Sequence, residues 1–194
     1  MSVDAPTPFK ISVSQDSLDT LKRRLETTAL PPPSLASNDP WEYGVPTTDI
    51  SRILEYWKAT YDWKAHETVL NEELPQFTLP VAVQDHGVLQ AHFVHYKAKQ
   101  VPKGKAIPLL FIHGWPGSFL EVKKVLPLLT QPENDDDPVF DVVAPSLPGF
   151  GFSSAPAKAG FAIDQYAEVR RSAIGREVAK VNLIVRYLNS SPTI

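Results

Sequence analysis

The chain has 194 residues, 43% of them hydrophobic and 10% aromatic, enough to pack one domain with an N-terminal extension. A net charge of −3 gives no basis for nucleic-acid or anionic-membrane binding, and the absence of cysteine excludes disulfides and thiol catalysis. Residues 1–10 hold no apolar run suited to a signal peptide or membrane span, so a soluble, cytoplasmic chain is expected.

Ser14 can cap a short helix to Leu25, with Leu18, Leu21 and Leu25 on one face. Pro31-Pro32-Pro33 ends it and begins an irregular stretch to Pro46. Thr48 or Asp49 then caps a second helix striped by Ile50, Ile53, Leu54, Trp57 and Tyr61. A third short helix is expected over Lys64 to Leu70. The aromatic set Trp41, Tyr43, Trp57, Tyr61 and Trp63 is expected to pack between these helices and a sheet rather than line a tunnel. Phe77–Val83 and Val88–His95 read as paired strands joined through Asp85-His86-Gly87. His92 and His95 are three apart on a strand and face opposite ways, so they cannot easily share an ion. No metal and no cofactor is expected.

Ile107–Ile112 reads as a fully buried strand. His113-Gly114-Trp115-Pro116-Gly117 breaks it, with Gly114 and Gly117 supplying unusual backbone angles and Pro116 a rigid bend. Ser118 caps a helix to Leu129 with Phe119, Val122, Val125, Leu126 and Leu129 in helical spacing. A solvated loop, Pro132 to Pro138, leads to a buried strand at Phe140–Pro145. That strand should lie parallel to Ile107–Ile112, with the Phe77–His95 pair antiparallel beside them. Asp141 falls at a strand start and Asp164 at a helix N-terminus, where a cap is the simplest role.

His113-Gly114-Trp115-Pro116-Gly117-Ser118, followed by Ala144-Pro145-Ser146-Leu147-Pro148-Gly149-Phe150-Gly151-Phe152-Ser153, resembles the epoxide hydrolase family. Trp41-Glu42-Tyr43-Gly44-Val45-Pro46, Tyr56-Trp57, Tyr61-Asp62-Trp63, Leu70-Asn71 and His92-Phe93-Val94-His95 resemble the N-terminal meander of its microsomal and juvenile-hormone-type branch. The likeness runs from about Phe9 to about Val169. It implies an α/β fold: a helical meander (1–75), then the first strands of an α/β-hydrolase sheet (76–169), truncated and followed by a divergent helical tail (170–194). Arg170 to Leu188 keeps helical apolar spacing through Ile174, Val178, Val181, Val185 and Leu188 but no longer resembles the family.

The resemblance also implies a mechanism. Family members open an epoxide by aspartate attack on a ring carbon, and a His-activated water hydrolyses the resulting ester. The substrate is a small hydrophobic epoxide whose oxygen lid tyrosines protonate. Strand, glycine turn, helix is where α/β-hydrolases place an oxyanion donor, here the Trp115 backbone N–H flanked by His113, Gly114 and Pro116. Nucleophile, base and acid have no counterpart in the sequence, so the chain alone is expected to be inactive. His113 is the last histidine, whereas the base His follows the nucleophile in such enzymes, so it reads as structural. A serine-hydrolase reading fails because Gly-x-Ser-x-Gly is absent and Ser153 and Ser154 lack flanking glycines. Phe150 and Phe152 are the weaker candidates for a substrate-pocket wall.

Three outcomes follow: an inactive homologue, a non-catalytic binding or regulatory fragment, or a mispredicted gene model of an active enzyme. A sheet stopped after about four strands also leaves an edge where self-association is expected.

Overall fold

A computed structural model describes residues 5–32, 41–42, 44–99, 101, 106–134 and 136–174. Tyr43, the stretch from Pro33 to Pro40 and the tail from residue 175 lie outside the described residues. The chain divides into two units, Met1–Lys10 with Asn71–Ile194, and Ile11–Leu70.

The smaller unit is helical. In α1 (Gln15–Thr27) the Ser14 hydroxyl accepts from the Ser17 N–H, closing the N-terminus as its position before an amphipathic run predicts. α2 spans Thr47–Ala59, with Pro46 rather than Thr48 or Asp49 at the cap position, and α1 contacts α2. α3 spans Trp63–Glu73. Near its start Glu67 accepts from Val13 N (2.6 Å), Trp63 Nε1 (3.1 Å) and Lys64 Nζ (2.7 Å). The Lys64 hydrogen bond, then the Val13 amide, hold the Glu67 carboxyl below its ordinary pKa. Of the aromatic set, Tyr43 lies outside the described residues. Trp41 is 59% and Trp57 41% exposed, although Trp57 meets the Tyr61 ring edge-on at 6.3 Å. α2 buries no residue fully.

The larger unit is a five-stranded mixed sheet of order β1-β2-β3-β5-β4. Its strands are β1 (Thr7–Phe9), β2 (Gln76–Val83), β3 (Gly87–Tyr96), β4 (Ile107–Leu110) and β5 (Phe140–Pro145). β2 and β3 form the expected hairpin, in register from Gln76↔Val94 to Val83↔Gly87. β5 pairs antiparallel with β3, and β4 pairs parallel with β5 from Ile107↔Phe140 to Leu110↔Val143. The sequence pattern does not reveal β1, which pairs Thr7–Phe9 with Gln76–Thr78. The signal is faint because Pro6 and Pro8 both argue against a strand. At a sheet edge Pro8 needs no second partner, and Pro80 of β2 is tolerated because it lies past the end of β1.

Three boundaries need correction. β4 is not fully buried: among the described residues it ends the strand order, and Ile107 is 40% exposed. It also stops at Leu110, with one further ladder bond from Phe111 N to Val143 O (2.9 Å). The single helix expected over Ser118–Leu129 is broken into a 3-10 turn, Phe119–Val122, and a short α4, Leu126–Thr130. Pro127 explains the break, since proline is tolerated in a first helical turn but not in a helix interior.

Both faces of the sheet are covered at β5. Leu79, Val81, Leu89, Ala91, Phe93 and Val143 form one core face with Val169 of α5 (Ile163–Ile174). Strand alternation turns Val142 and Ala144 to the other face, where the 3-10 turn and α4 contact β5. Asp164 lies in the first turn of α5, while Gln165 Oε1 accepts from Ala162 N at its entrance (2.9 Å). Asp141, in β5, accepts from Ala98 N (2.9 Å).

Candidate active site

Because β4 and β5 are parallel, the segments that follow them leave the sheet at the same end. After β4, Gly117 N donates to Gly114 O at 2.9 Å and the Trp115–Pro116 peptide bond is cis, giving a four-residue turn with proline in third position. Neither Gly114 nor Gly117 adopts a positive φ, so the expected unusual angles are not what selects them. A Cβ at 117 would meet the Glu121 carboxylate, the end of a flexible side chain that can swing aside. Ser118 Oγ accepts from Leu120 N (3.3 Å) and so caps the 3-10 turn. Trp115 is 85% exposed, and no group among the described residues accepts from its backbone N–H.

His113 is buried beneath this turn. Its Nε2 lies 3.1 Å from Leu147 N, and a backbone amide can only donate, so Nε2 carries the lone pair. Nδ1 therefore bears the proton and donates to Gly114 O at 3.0 Å. The Phe150 ring meets the imidazole edge-on at 5.4 Å. With both nitrogens engaged by backbone, His113 ties the turn to the loop after β5. His113→Ala is expected to destabilise the chain by about 2 kcal/mol, since Leu147 N–H loses its acceptor. Equilibrium urea unfolding measures it.

The loop after β5, Ser146–Ser154, is sewn to β3 where β3 outruns β5. The last paired residues are Phe93↔Pro145, so His92 and Gln90 expose unpaired backbone groups beyond them. Ser146 N donates to His92 O (2.9 Å), Ser153 Oγ accepts from His92 N (2.9 Å), Ser154 Oγ accepts from Gln90 N (3.1 Å), and Ser154 N donates to Gln90 O (2.9 Å). Ser153 Oγ also donates to Ser146 O at 2.7 Å. These serines thus finish a strand ladder.

Within this seam His92 is fully buried, an arrangement that no local sequence pattern predicts. Its Nε2 is 3.1 Å from Gln76 Oε1 and its Nδ1 2.8 Å from Ser146 Oγ. A carbonyl oxygen only accepts, so Nε2–H donates to Gln76 and the Ser146 hydroxyl donates to Nδ1. Phe9, Phe119 and Phe152 surround the ring edge-on at 5.0, 4.9 and 5.4 Å. Burial among them pushes the His92 pKa down to about 4. Phe152 therefore packs around His92 and Phe150 against His113.

A family model for the epoxide hydrolase N terminus matches residues 6–122, more than half of the chain. The chain belongs to the epoxide hydrolase family. A second model, for the alpha/beta hydrolase fold, matches residues 107–179 of this epoxide hydrolase family member. It is 41% identical over 158 residues to epoxide hydrolase 1 of Sus scrofa, covering 79% of this chain and 33% of that protein. Juvenile hormone epoxide hydrolase 2 of Ctenocephalides felis is 36% identical over 169 residues, covering 87% and 35%. The crystal structure of juvenile hormone epoxide hydrolase from the silkworm Bombyx mori superposes with a TM-score of 0.77 at 30% identity, over 90% of this chain and 40% of that one. The chain spans about a third of the length of the curated relatives it matches. Two of these relatives carry the juvenile hormone name of the branch that the sequence resembles. Among the described residues, no helix is long and apolar enough to cross a membrane.

Proposed function

We propose that this chain forms the oxyanion side of an epoxide-hydrolase site, with the Trp115 backbone N–H as donor and a small hydrophobic epoxide as substrate. The observation that carries this reading is the unengaged Trp115 N–H, held at the end of a parallel strand pair by a turn buttressed from below by His113. In the two-step route the donor acts on the second step. Water attacks the covalent ester, charge develops on the former carbonyl oxygen, and a fixed N–H stabilises that charge. His113, Gly114 and Pro116 shape the turn. Phe150 and Phe152 act through packing and stand at the margin of the substrate space. A cytoplasmic, reducing setting accords with the lack of cysteine. In this reading residues 1–75 serve as meander, 76–169 as half-site and 170–194 as tail, although Thr7–Phe9 joins the sheet of the half-site.

Nucleophile, base and acid have to be supplied by further polypeptide, so the 194-residue protein is expected to leave styrene oxide intact at the buffer rate. Residues 1–169 joined to the C-terminal part of the Bombyx mori enzyme are expected to form diol. In that chimera Trp115→Pro removes the N–H and should slow ester hydrolysis about a hundredfold, so that covalent ester accumulates after a burst. Trp115→Phe should hydrolyse normally. Diol produced by the unextended chain, or a chimera indifferent to Trp115→Pro, would refute the reading.

A second reading rests on the outer edge of β4. Ile107 is 40% exposed there, in a strand that ends the order among the described residues. Such an edge favours self-association. Light scattering over a dilution series should show a mass that falls on dilution, and a constant monomer mass would exclude it.

A further inference from the structure

We propose that His92 is a positioning residue of the oxyanion turn, acting through Ser146, Leu147 and His113. The route is continuous: three hydrogen bonds, joined by the peptide link from Ser146 to Leu147, lead from His92 to the turn. Gln76 Oε1 anchors Nε2–H from β2, and Gln76 Nε2 reaches Asn71 Oδ1 at 3.5 Å, which fixes the amide with its oxygen toward His92. The other ring nitrogen holds the Ser146 hydroxyl at the first residue of the loop after β5. The next residue, Leu147, donates its N–H to His113 Nε2, and His113 Nδ1–H donates to Gly114 O, the carbonyl that closes the turn around Trp115.

The ring has little freedom to do anything else. It is fully buried, wedged by Phe9, Phe119 and Phe152, and its own backbone N–H and C=O are taken by Ser153 and Ser146. A ring that touches neither solvent nor a substrate space cannot transfer protons to a ligand. What it can do is fix where the Ser146 side chain, and hence Leu147 N–H, stands. His113 responds to that position, because its tautomer is set by the donor on Nε2. Gly151 passes close over the same hydroxyl: a Cβ there would lie 2.6 Å from Ser146 Oγ. The loop is thereby registered on His92 from two sides. The proposal rests on the reading that Trp115 presents the donor, but its test does not use turnover.

The experiment is nuclear magnetic resonance on the full chain, comparing wild type with Ser146→Ala and Gln76→Ala, which unload the two ring nitrogens of His92 in turn. Both variants are expected to speed amide exchange at Leu147 and Gly117 about tenfold, the effect of one lost hydrogen bond, while leaving the β2–β3 ladder amides unchanged. The His113 ring nitrogens should shift from the Nδ1–H form toward the Nε2–H form that a free imidazole favours. A merely structural role would instead lower protection throughout the sheet without changing the His113 tautomer. The proposal is overturned by an unchanged His113 signal, by uniform loss of protection, or by both variants failing to fold. Failure of the oxyanion reading would appear separately, as a chimera indifferent to Trp115→Pro.

Discussion

Lowering the pH from about 7 to about 4 is expected to remove roughly 3 kcal/mol of folding stability through His92 alone. The folded ring titrates at about 4 because burial among three phenylalanines disfavours the imidazolium, against 6.5 for an unperturbed histidine. Above the unfolded value both states hold a neutral ring, and the full stability is present. Below it the unfolded chain binds a proton that the folded chain refuses, so stability falls as pH drops toward the folded value. Urea unfolding at several pH values should therefore show a slope of about 1.4 kcal/mol per pH unit attributable to this ring. Subtracting the profile of a folded His92→Gln variant isolates it. Parallel profiles for the two proteins would show that the ring is not the group responsible.

Gly151→Ala is expected to cost about 2–4 kcal/mol, and two independent terms contribute. The backbone at 151 has φ +52°, a left-handed conformation that disfavours any side chain by about 1 kcal/mol or more. The added Cβ would also sit 2.6 Å from Ser146 Oγ, forcing the hydroxyl away from His92 Nδ1 and leaving a buried acceptor unpaired, about 1–3 kcal/mol. Gly149→Ala separates the terms. It has φ +84° but its nearest neighbour is Pro156 Cδ at 4.0 Å, so only the backbone term of about 1 kcal/mol applies. Paired thermal melts decide it: equal losses at 149 and 151 would mean that the contact with Ser146 is immaterial.

Much of the fold can be read from short-range chemistry. Alternation in Phe77–Val83 and Val88–His95 around Asp85-His86-Gly87 locates the hairpin, and the apolar run Phe140–Pro145 coincides with β5. What escapes is whatever depends on neighbours distant in sequence. An apolar run does not announce whether it will be central or at an edge, which is why Ile107 looks buried in the sequence and is not. Thr7–Phe9 becomes a strand only because Gln76–Thr78 is there to receive it. Pro127 is a legible break inside Phe119–Leu129, masked by the apolar spacing around it. At the site, the turn at His113–Gly117 is visible in the residues themselves. The His92 seam is not, since its partners lie far away in sequence, Gln76 in β2 and Ser146 and Ser153 in the loop after β5. The one hint is a histidine inside Ala91-His92-Phe93-Val94, a run buried at every position.

The strand order also sets a sequence of events in time. β2 and β3 adjoin in the chain, and eight residue pairs can zip from one tight turn, so this hairpin closes a short loop and can form early. β5 must next find β3 across the 3-10 turn and α4, carrying β4 with it as a parallel neighbour. β1 is expected to come last, because Phe9 reaches Gln76 only with α1, α2 and α3 looped out, and only three residue pairs repay that closure. Phe9 is one wall of the His92 enclosure, so the ring becomes dry only at this final step. A chain caught before it would hold the hairpin intact yet leave its central histidine open to protons, and refolding in weak acid would stall there.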